Sequence, residues 1–168
     1  EIVSCNWSSF GCSGGFEMSA YGYLLYAGVP TEECVPYESG QTGDDESCPS
    51  KCTGSTTTDY THYHCKTPWM YLDSNSMKKD IQKNGSMETG FTVYQDFLQY
   101  KGGIYKHVTG SMLGGHAVRI VGWGEEEGVN YWIVANSWSE SWGENGFFRI
   151  ENGSCGFADS AVSCNPWL

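Results

Sequence analysis

Residues 117–123 (AVRIVGW), 130–135 (NYWIVA) and 146–151 (GFFRIE) are short apolar or alternating runs set apart by Gly, Asn and Glu. Runs of this length between turn residues read as strands, and the first two read as a two-strand hairpin. Residues 87–94 (METGFTVY) add a strand with Met87, Phe91 and Val93 on one side. The first half of the chain reads differently. Residues 14–27 (GGFEMSAYGYLLYA) place Phe16, Ala20, Leu24 and Ala27 on one helical face, with Gly28 as a stop. The polar stretch 38–58, rich in Gly, Ser, Thr and acids, holds its shape mainly through Cys34, Cys48 and Cys52. Ser74 or Ser76 is expected to cap a short helix through Met77 and Ile81 that ends at Asn84-Gly85. Helices early and strands late predict an α+β chain in two segregated halves, with the boundary near residue 70.

Composition agrees. In 168 residues there are seven tryptophans and 15% aromatics, which need a core, while 22 glycines and 17% charged residues favour a turn-rich, strand-rich chain over a bundle. Twenty acids against nine bases give a formal charge of −11, which repels nucleic acid and anionic membrane as partners. No apolar run reaches the roughly 18 residues of a membrane span. The opening Glu1-Ile2-Val3-Ser4-Cys5 has no basic-then-apolar leader and reads like the middle of a protein.

Eight cysteines point to disulfides and an oxidising compartment, lysosomal/vacuolar or secreted. The triplets at Asn6, Asn84 and Asn152 fit N-glycosylation. A zinc site built from Cys48, Cys52, His62, His64 and Cys65 is the rival reading, but its spacing is loose, and the expectation is no metal and no cofactor. His62 and His64 are instead expected on an exposed Tyr/Thr-rich strand.

Two segments carry chemistry. Gly114-Gly115-His116 enters one strand, and Asn136-Ser137-Trp138 leaves the next. A histidine that activates a nucleophile needs one fixed tautomer, and an amide oxygen twenty residues on can accept its far N–H. Trp138 is placed to shield that bond from water. A turn or strand-end role accounts for Asn136 equally well. The glycines remove side chains where a substrate backbone approaches. The second segment, Gly11-Cys12-Ser13-Gly14-Gly15, opens the first helix. With no following lysine, it suits a backbone edge for an extended peptide better than a phosphate cradle.

With these residues in view, the chain resembles the papain-like cysteine peptidases and, among them, the cathepsin B branch. The likeness is densest in FTVYQDFLQYKGGIYKHVTGSMLGGHAVRIVGWG and NYWIVANSWSESWGENGFF, both within residues 91–148. It extends to EIVSCNWSSFGCSGGF at 1–16, with Ser13 where the family motif has Asn, and more weakly to CGFADSA at 155–161. The resemblance implies a papain-like two-domain fold. Residues 1–70 would be the remainder of a helical, disulfide-tied left domain, 71–160 a right-hand antiparallel β-barrel domain carrying His and Asn, and 161–168 a tail. It implies His116 as catalytic base and Asn136 as its orienting partner. Trp138 would be the shield, Trp142 an aromatic of the leaving-group side, and Gly14, Gly15 and Gly115 the residues flanking the substrate backbone. It pairs Cys5 with Cys48 and Cys34 with Cys52, leaves Cys12 to bridge to another segment, and says nothing of Cys65, Cys155 and Cys164.

The family's cysteine-bearing signature is absent from the chain; His lies about 130–150 residues beyond it, which places it before Glu1. The expectation is therefore the heavy chain of a cathepsin B-like cysteine endopeptidase, incomplete without a light chain or N-terminal segment that bears the nucleophile and is disulfide-linked through Cys12. Residues 1–70 hold too little apolar surface to fold alone, which also calls for a companion. The thirteen residues between Cys34 and Cys48 contain no histidine. That implies an open cleft, since the histidine-bearing occluding loop of cathepsin B has no counterpart there. Ser160 stands where cathepsin B has an acid in its second pocket, implying apolar preference, although Asp159 is adjacent. Expected partners are peptide or protein substrates and a propeptide or cystatin-like inhibitors. The alternative is a catalytically inactive papain-like protein used for binding or structure.

Overall fold

In the computed structural model, which describes residues 1–54 and 59–166, the chain divides into two units. One is Trp69–Ser163 and the other is Glu1–Pro68 with Cys164–Leu168. The last four residues of the 38–58 stretch and the final two of the chain lie outside the described residues.

The Trp69–Ser163 unit is one seven-stranded sheet. Its strands are β1 (Trp69–Tyr71), β2 (Met87–Tyr94), β3 (Ile104–Tyr105), β4 (Met112–Glu126), β5 (Val129–Ala135), β6 (Phe147–Glu151) and β7 (Ala161–Ser163). They lie in the order β1-β7-β2-β4-β5-β6-β3, antiparallel except for β3 on β6. The hydrogen-bonded order is open, with β1 and β3 at its edges, where the sequence reading expected a barrel. Those edge strands have three and two residues, so each offers few ladder groups to a further partner. Residues 161–163, read as tail, are instead a buried strand beside β1 and β2; Ala161 packs into the core, and Val162, on the opposite face, is buried as well.

Strict alternation sets the core. Met87, Thr89, Phe91 and Val93 of β2 are buried, as are Val118 and Ile120 of β4, Trp132 and Val134 of β5, and Phe148 and Ile150 of β6. Burial of each large apolar side chain contributes about 1.5–3 kcal/mol. Phe97, from the 3-10 turn Gln95–Gln99, fills the middle and meets Phe91, Tyr105 and Phe148 edge-on. The β4–β5 hairpin turns through Glu127 and Gly128, both with positive φ, which is the geometry a two-residue turn between right-twisted strands requires.

A helix, Ser74–Asn84, contributes Met77 to this core and stops at Gly85, whose φ is 102°. Its cap is Asp73, not Ser74 or Ser76. Asp73 stands outside the helix in extended conformation and its carboxylate accepts the Ser76 N–H at 2.9 Å.

The other unit has short helices at Ile2–Cys5, Glu17–Tyr26 and Ser39–Thr42. Among its described residues the buried apolar side chains are Cys34 and Cys65, both in disulfides. Covalent links do the work of a core: Cys5–Cys48, Cys34–Cys52 and Cys65–Cys164. The first two are the pairs the resemblance implied, and the third joins cysteines whose state the sequence left open. Three thiols of the rival zinc reading are thereby oxidised and offer no thiolate ligand. The Glu17–Tyr26 helix forms as expected, yet none of its residues is buried and the neighbouring Phe16 is 66% exposed. His62 and His64 are half-buried, not exposed, because their rings are bonded. His62 Nε2 lies 3.0 Å from Glu1 Oε1, and His64 Nδ1 lies 3.2 Å from the Leu25 carbonyl.

Candidate active site

The alternation that builds the core also delivers the candidate pair. On β4 the inward series Ile120, Val118 continues to His116; on β5 the series Trp132, Val134 continues to Asn136, just past the strand. Both side chains thus sit at the same end of neighbouring strands, on the face that is core further along. Phe91 of β2 is His116's direct cross-strand partner, with ring centroids 6.0 Å apart.

His116 Nε2 lies 2.8 Å from Asn136 Oδ1. Which amide atom faces the ring follows from a second contact. The Ser137 backbone N–H donates to Oδ1 at 2.8 Å, so that atom must be the oxygen. An oxygen only accepts here, so Nε2 carries a proton and the neutral imidazole keeps its lone pair on Nδ1. Trp138 stacks on the imidazole with centroids 5.2 Å apart and planes 22° from parallel. The indole is itself braced by Phe97 and Trp142, and Trp142 Nε1 donates to the Leu98 carbonyl at 3.3 Å. Asn136 Nδ2 is buried with no hydrogen-bond partner among the described residues. An unpaired buried donor costs about 1–3 kcal/mol, which the fold tolerates while holding Oδ1 on the histidine.

The glycines divide by cause. A Cβ on Gly15 would press on the Ser9 side chain at 2.7 Å, so internal packing already demands glycine there. Gly14 has φ of 106° and uses its backbone within the turn: its N–H donates to the Gly11 carbonyl and its own carbonyl accepts from Phe10. The Gly14 N–H is thus engaged within the turn, whereas no hydrogen bond among the described residues uses the backbone of Gly15. At Gly115 an added Cβ would meet nothing within 4 Å, so the fold leaves open space beside His116 for no reason of its own packing.

Ser160 does not touch the pair; its carbonyl accepts from Thr89 Oγ1 at 2.6 Å. Cys155 is the one cysteine in 69–163, and its sulfur lies against Ser154 Oγ. Cys12 is exposed and unpaired among the described residues; its thiol is raised above the ordinary range by its hydrogen bond with Asp45 and the acids around it. No group of three or more His, Cys, Asp or Glu residues among those described is set to hold a metal. Among the glycosylation candidates, Asn6 is 5% exposed and its amide nitrogen donates to Ser9 and Ser19, so a glycan has no access. The Asn84 nitrogen donates to Asp80 at 2.6 Å, while exposed Asn152 accepts on its oxygen from Trp132 and Ser74. Sequence reasoning missed Phe91 and the Ser137 N–H as supports of the pair; the period-two pattern of 87–94 held the signal for the first.

Residues 1–165 match the model of the papain family of cysteine proteases. The chain belongs to that family. Within the papain family it is 40% identical over 164 residues to the cathepsin B-like CP3 of Giardia intestinalis, covering 96% of this chain and 55% of that protein. It is 39% identical over 182 residues to the cathepsin B-like protease 1 of Arabidopsis thaliana, covering 99% and 48%. The solved structure of procathepsin B S9 from Trypanosoma congolense matches with a TM-score of 0.92 at 32% identity, over 99% of this chain and 59% of that one. This papain-family chain spans about half the length of the curated relatives it matches.

Proposed function

We propose that the chain is the His- and Asn-bearing part of a cathepsin B-like cysteine endopeptidase, its nucleophilic cysteine lying on a segment outside these 168 residues. The observation that carries this reading is the fixed tautomer of His116, protonated at Nε2 by its bond to Asn136 and open at Nδ1. Nδ1 takes the proton of a facing thiol, and the resulting thiolate attacks the peptide carbonyl carbon. The imidazolium, steadied by Asn136 Oδ1, then gives that proton to the leaving amine as the C–N bond breaks. Water, deprotonated by His116, hydrolyses the thioester and restores the thiol. Gly115 leaves room for the peptide backbone beside the imidazole.

A companion segment is supported by the unit in which no residue of the Glu17–Tyr26 helix is buried and in which, among the described residues, the buried apolar side chains are two disulfide-bonded cysteines. Cys12 is the unpaired cysteine there to link to it. Peptide and protein substrates follow from the chemistry, with apolar preference beside Ser160. A propeptide partner follows from the likeness to a procathepsin, cystatin-like inhibitors follow from the family, and a lysosomal/vacuolar or secreted setting suits three disulfides. The absence of histidine between Cys34 and Cys48 supports internal cleavage over dipeptide trimming.

The test is alkylation of the full-length protein with iodoacetamide or an active-site-directed epoxide, followed by peptide mapping. One reactive cysteine, preceding Glu1 in the chain and lost in His116→Ala, is the expected result. Serine or glycine at that position, or no labelling, overturns the reading in favour of an inactive, binding-only relative. Release of C-terminal dipeptides faster than internal cuts overturns the endopeptidase part alone.

A further inference from the structure

Asp96 gathers four donors, one from Tyr105 of β3 and three from the loop that follows it. Its Oδ1 accepts from Tyr105 Oη at 2.7 Å and from His107 Nδ1 at 3.1 Å; its Oδ2 accepts from the backbone N–H groups of Val108 at 2.8 Å and Thr109 at 3.1 Å. Beside it, Gln95 brackets Ser111 in both directions, backbone N–H to carbonyl and side-chain oxygen to backbone N–H, each at 3.1 Å. His107 is held from its other face by Tyr94, stacked at 3.7 Å. Burial alone would raise the Asp96 carboxyl, but the bonds from Val108, Tyr105, Thr109 and His107 outweigh it and keep the group well below the usual carboxylate range.

The loop so held has little burial to fix it. Val108 is 83% exposed, and the next two apolar side chains, Met112 and Leu113, are exposed as well. Those residues run straight into Gly114, Gly115 and His116 on β4. Asp96 itself is rigid, since the next residue, Phe97, is fully buried in the aromatic core. Residues 107–109 are therefore fixed by charge-assisted hydrogen bonds to a rigid turn, while Met112, paired with Tyr94, and Leu113 open β4 on the way to His116.

We propose that Asp96 is a positioning residue for peptide binding. By pinning residues 107–109 to the Phe97 turn, it sets where Val108 meets a peptide approaching His116. The inference rests on the peptidase reading above. Asn in place of Asp removes the charge and turns one acceptor into a donor, so the backbone N–H bonds of Val108 and Thr109 lose their charge assistance and Tyr105 and His107 must reverse their roles.

The experiment compares full-length wild type, Asp96→Asn and Tyr105→Phe. Kinetics on an oligopeptide are set beside alkylation by iodoacetamide, a reagent too small to need the loop. Asp96→Asn is expected to raise KM about tenfold with kcat within about twofold, and to leave the pH profile of alkylation unchanged. Tyr105→Phe, which removes one donor only, raises KM about threefold. An unchanged KM in Asp96→Asn, or a loss of kcat with a shifted alkylation profile, overturns the inference while the peptidase reading stands. Should Asp96→Asn not fold, an unchanged KM in Tyr105→Phe overturns it equally. A wild type with no peptidase activity overturns both.

Discussion

Trp138 lies over His116 with its plane 22° from the imidazole's, and the same indole meets Phe97 and Trp142 edge-on. The histidine is thus clamped between Trp138 on one face and Phe91 towards the core. Removing the indole opens the bond between His116 and Asn136 to water, where it is weaker. Trp138→Ala in the full-length protein is expected to lower kcat/KM about tenfold, with a narrower pH optimum. Steady-state kinetics across pH checks this, and an unaltered profile refutes the shielding role.

Asn136→Ala removes the acceptor that holds Nε2–H and frees the ring to adopt either tautomer. A fall in kcat of roughly 10²-fold is expected with KM little changed, since the ring's orientation matters most in the transition state. A large KM effect with kcat intact would move Asn136 from orientation to substrate binding.

The Cys65–Cys164 link spans 99 residues of sequence and joins the two chain segments that make up the first unit. Closing so long a loop stabilises by about 2–5 kcal/mol, chiefly by restricting the unfolded chain. Cys65→Ser with Cys164→Ser is expected to lower the urea midpoint clearly while leaving the Trp132 core spectroscopically native. A midpoint within error of wild type counts against this bond.

Asp80 is buried and accepts from Ser163 Oγ at 2.7 Å and Asn84 Nδ2 at 2.6 Å. Burial pushes its pKa up, but Ser163, Asn84 and Tyr71 outweigh that and leave it lowered. A lowered folded-state pKa means that the stabilisation is fully present above the unfolded value of about 4 and drains away as pH falls below it. Asp80→Asn should cost about 1–3 kcal/mol at neutral pH and flatten the acid limb of stability. Urea unfolding at pH 7 and at pH 3 reads both effects, and parallel losses at the two pH values would refute the linkage.

Glycopeptide mapping of protein made in a secretory host is expected to find Asn6 bare. Its nitrogen is bonded to two serines inside the fold, whereas Asn152 is exposed and engages only its oxygen in the bonds described above. A glycan on Asn6 would mean that this corner of the first unit is built differently.

Much of the candidate site was legible in the linear chain because strands encode their faces locally. The alternation of 117–123 and 130–135 already puts His116 and Asn136 in register with Val118 and Val134. The two longer helices were legible too, although the serine proposed to cap Ser74–Asn84 gave way to Asp73, since a cap is chosen by backbone conformation just outside the helix. Nothing in the local pattern distinguished Asn6 from a surface acceptor, because its burial depends on Ser19, thirteen residues away.

The amino-acid order by itself determined the longer strands β2, β4, β5 and β6, the helices Glu17–Tyr26 and Ser74–Asn84, and the family, because propensity and periodicity act between neighbours in the chain. The tertiary structure alone decided which way the Asn136 amide points, that Cys65 meets Cys164, and that one carboxylate at residue 96 holds residues 107–109. The last two depend on distances between groups 12 and 99 residues apart in the sequence, and such distances exist only once the strands have paired.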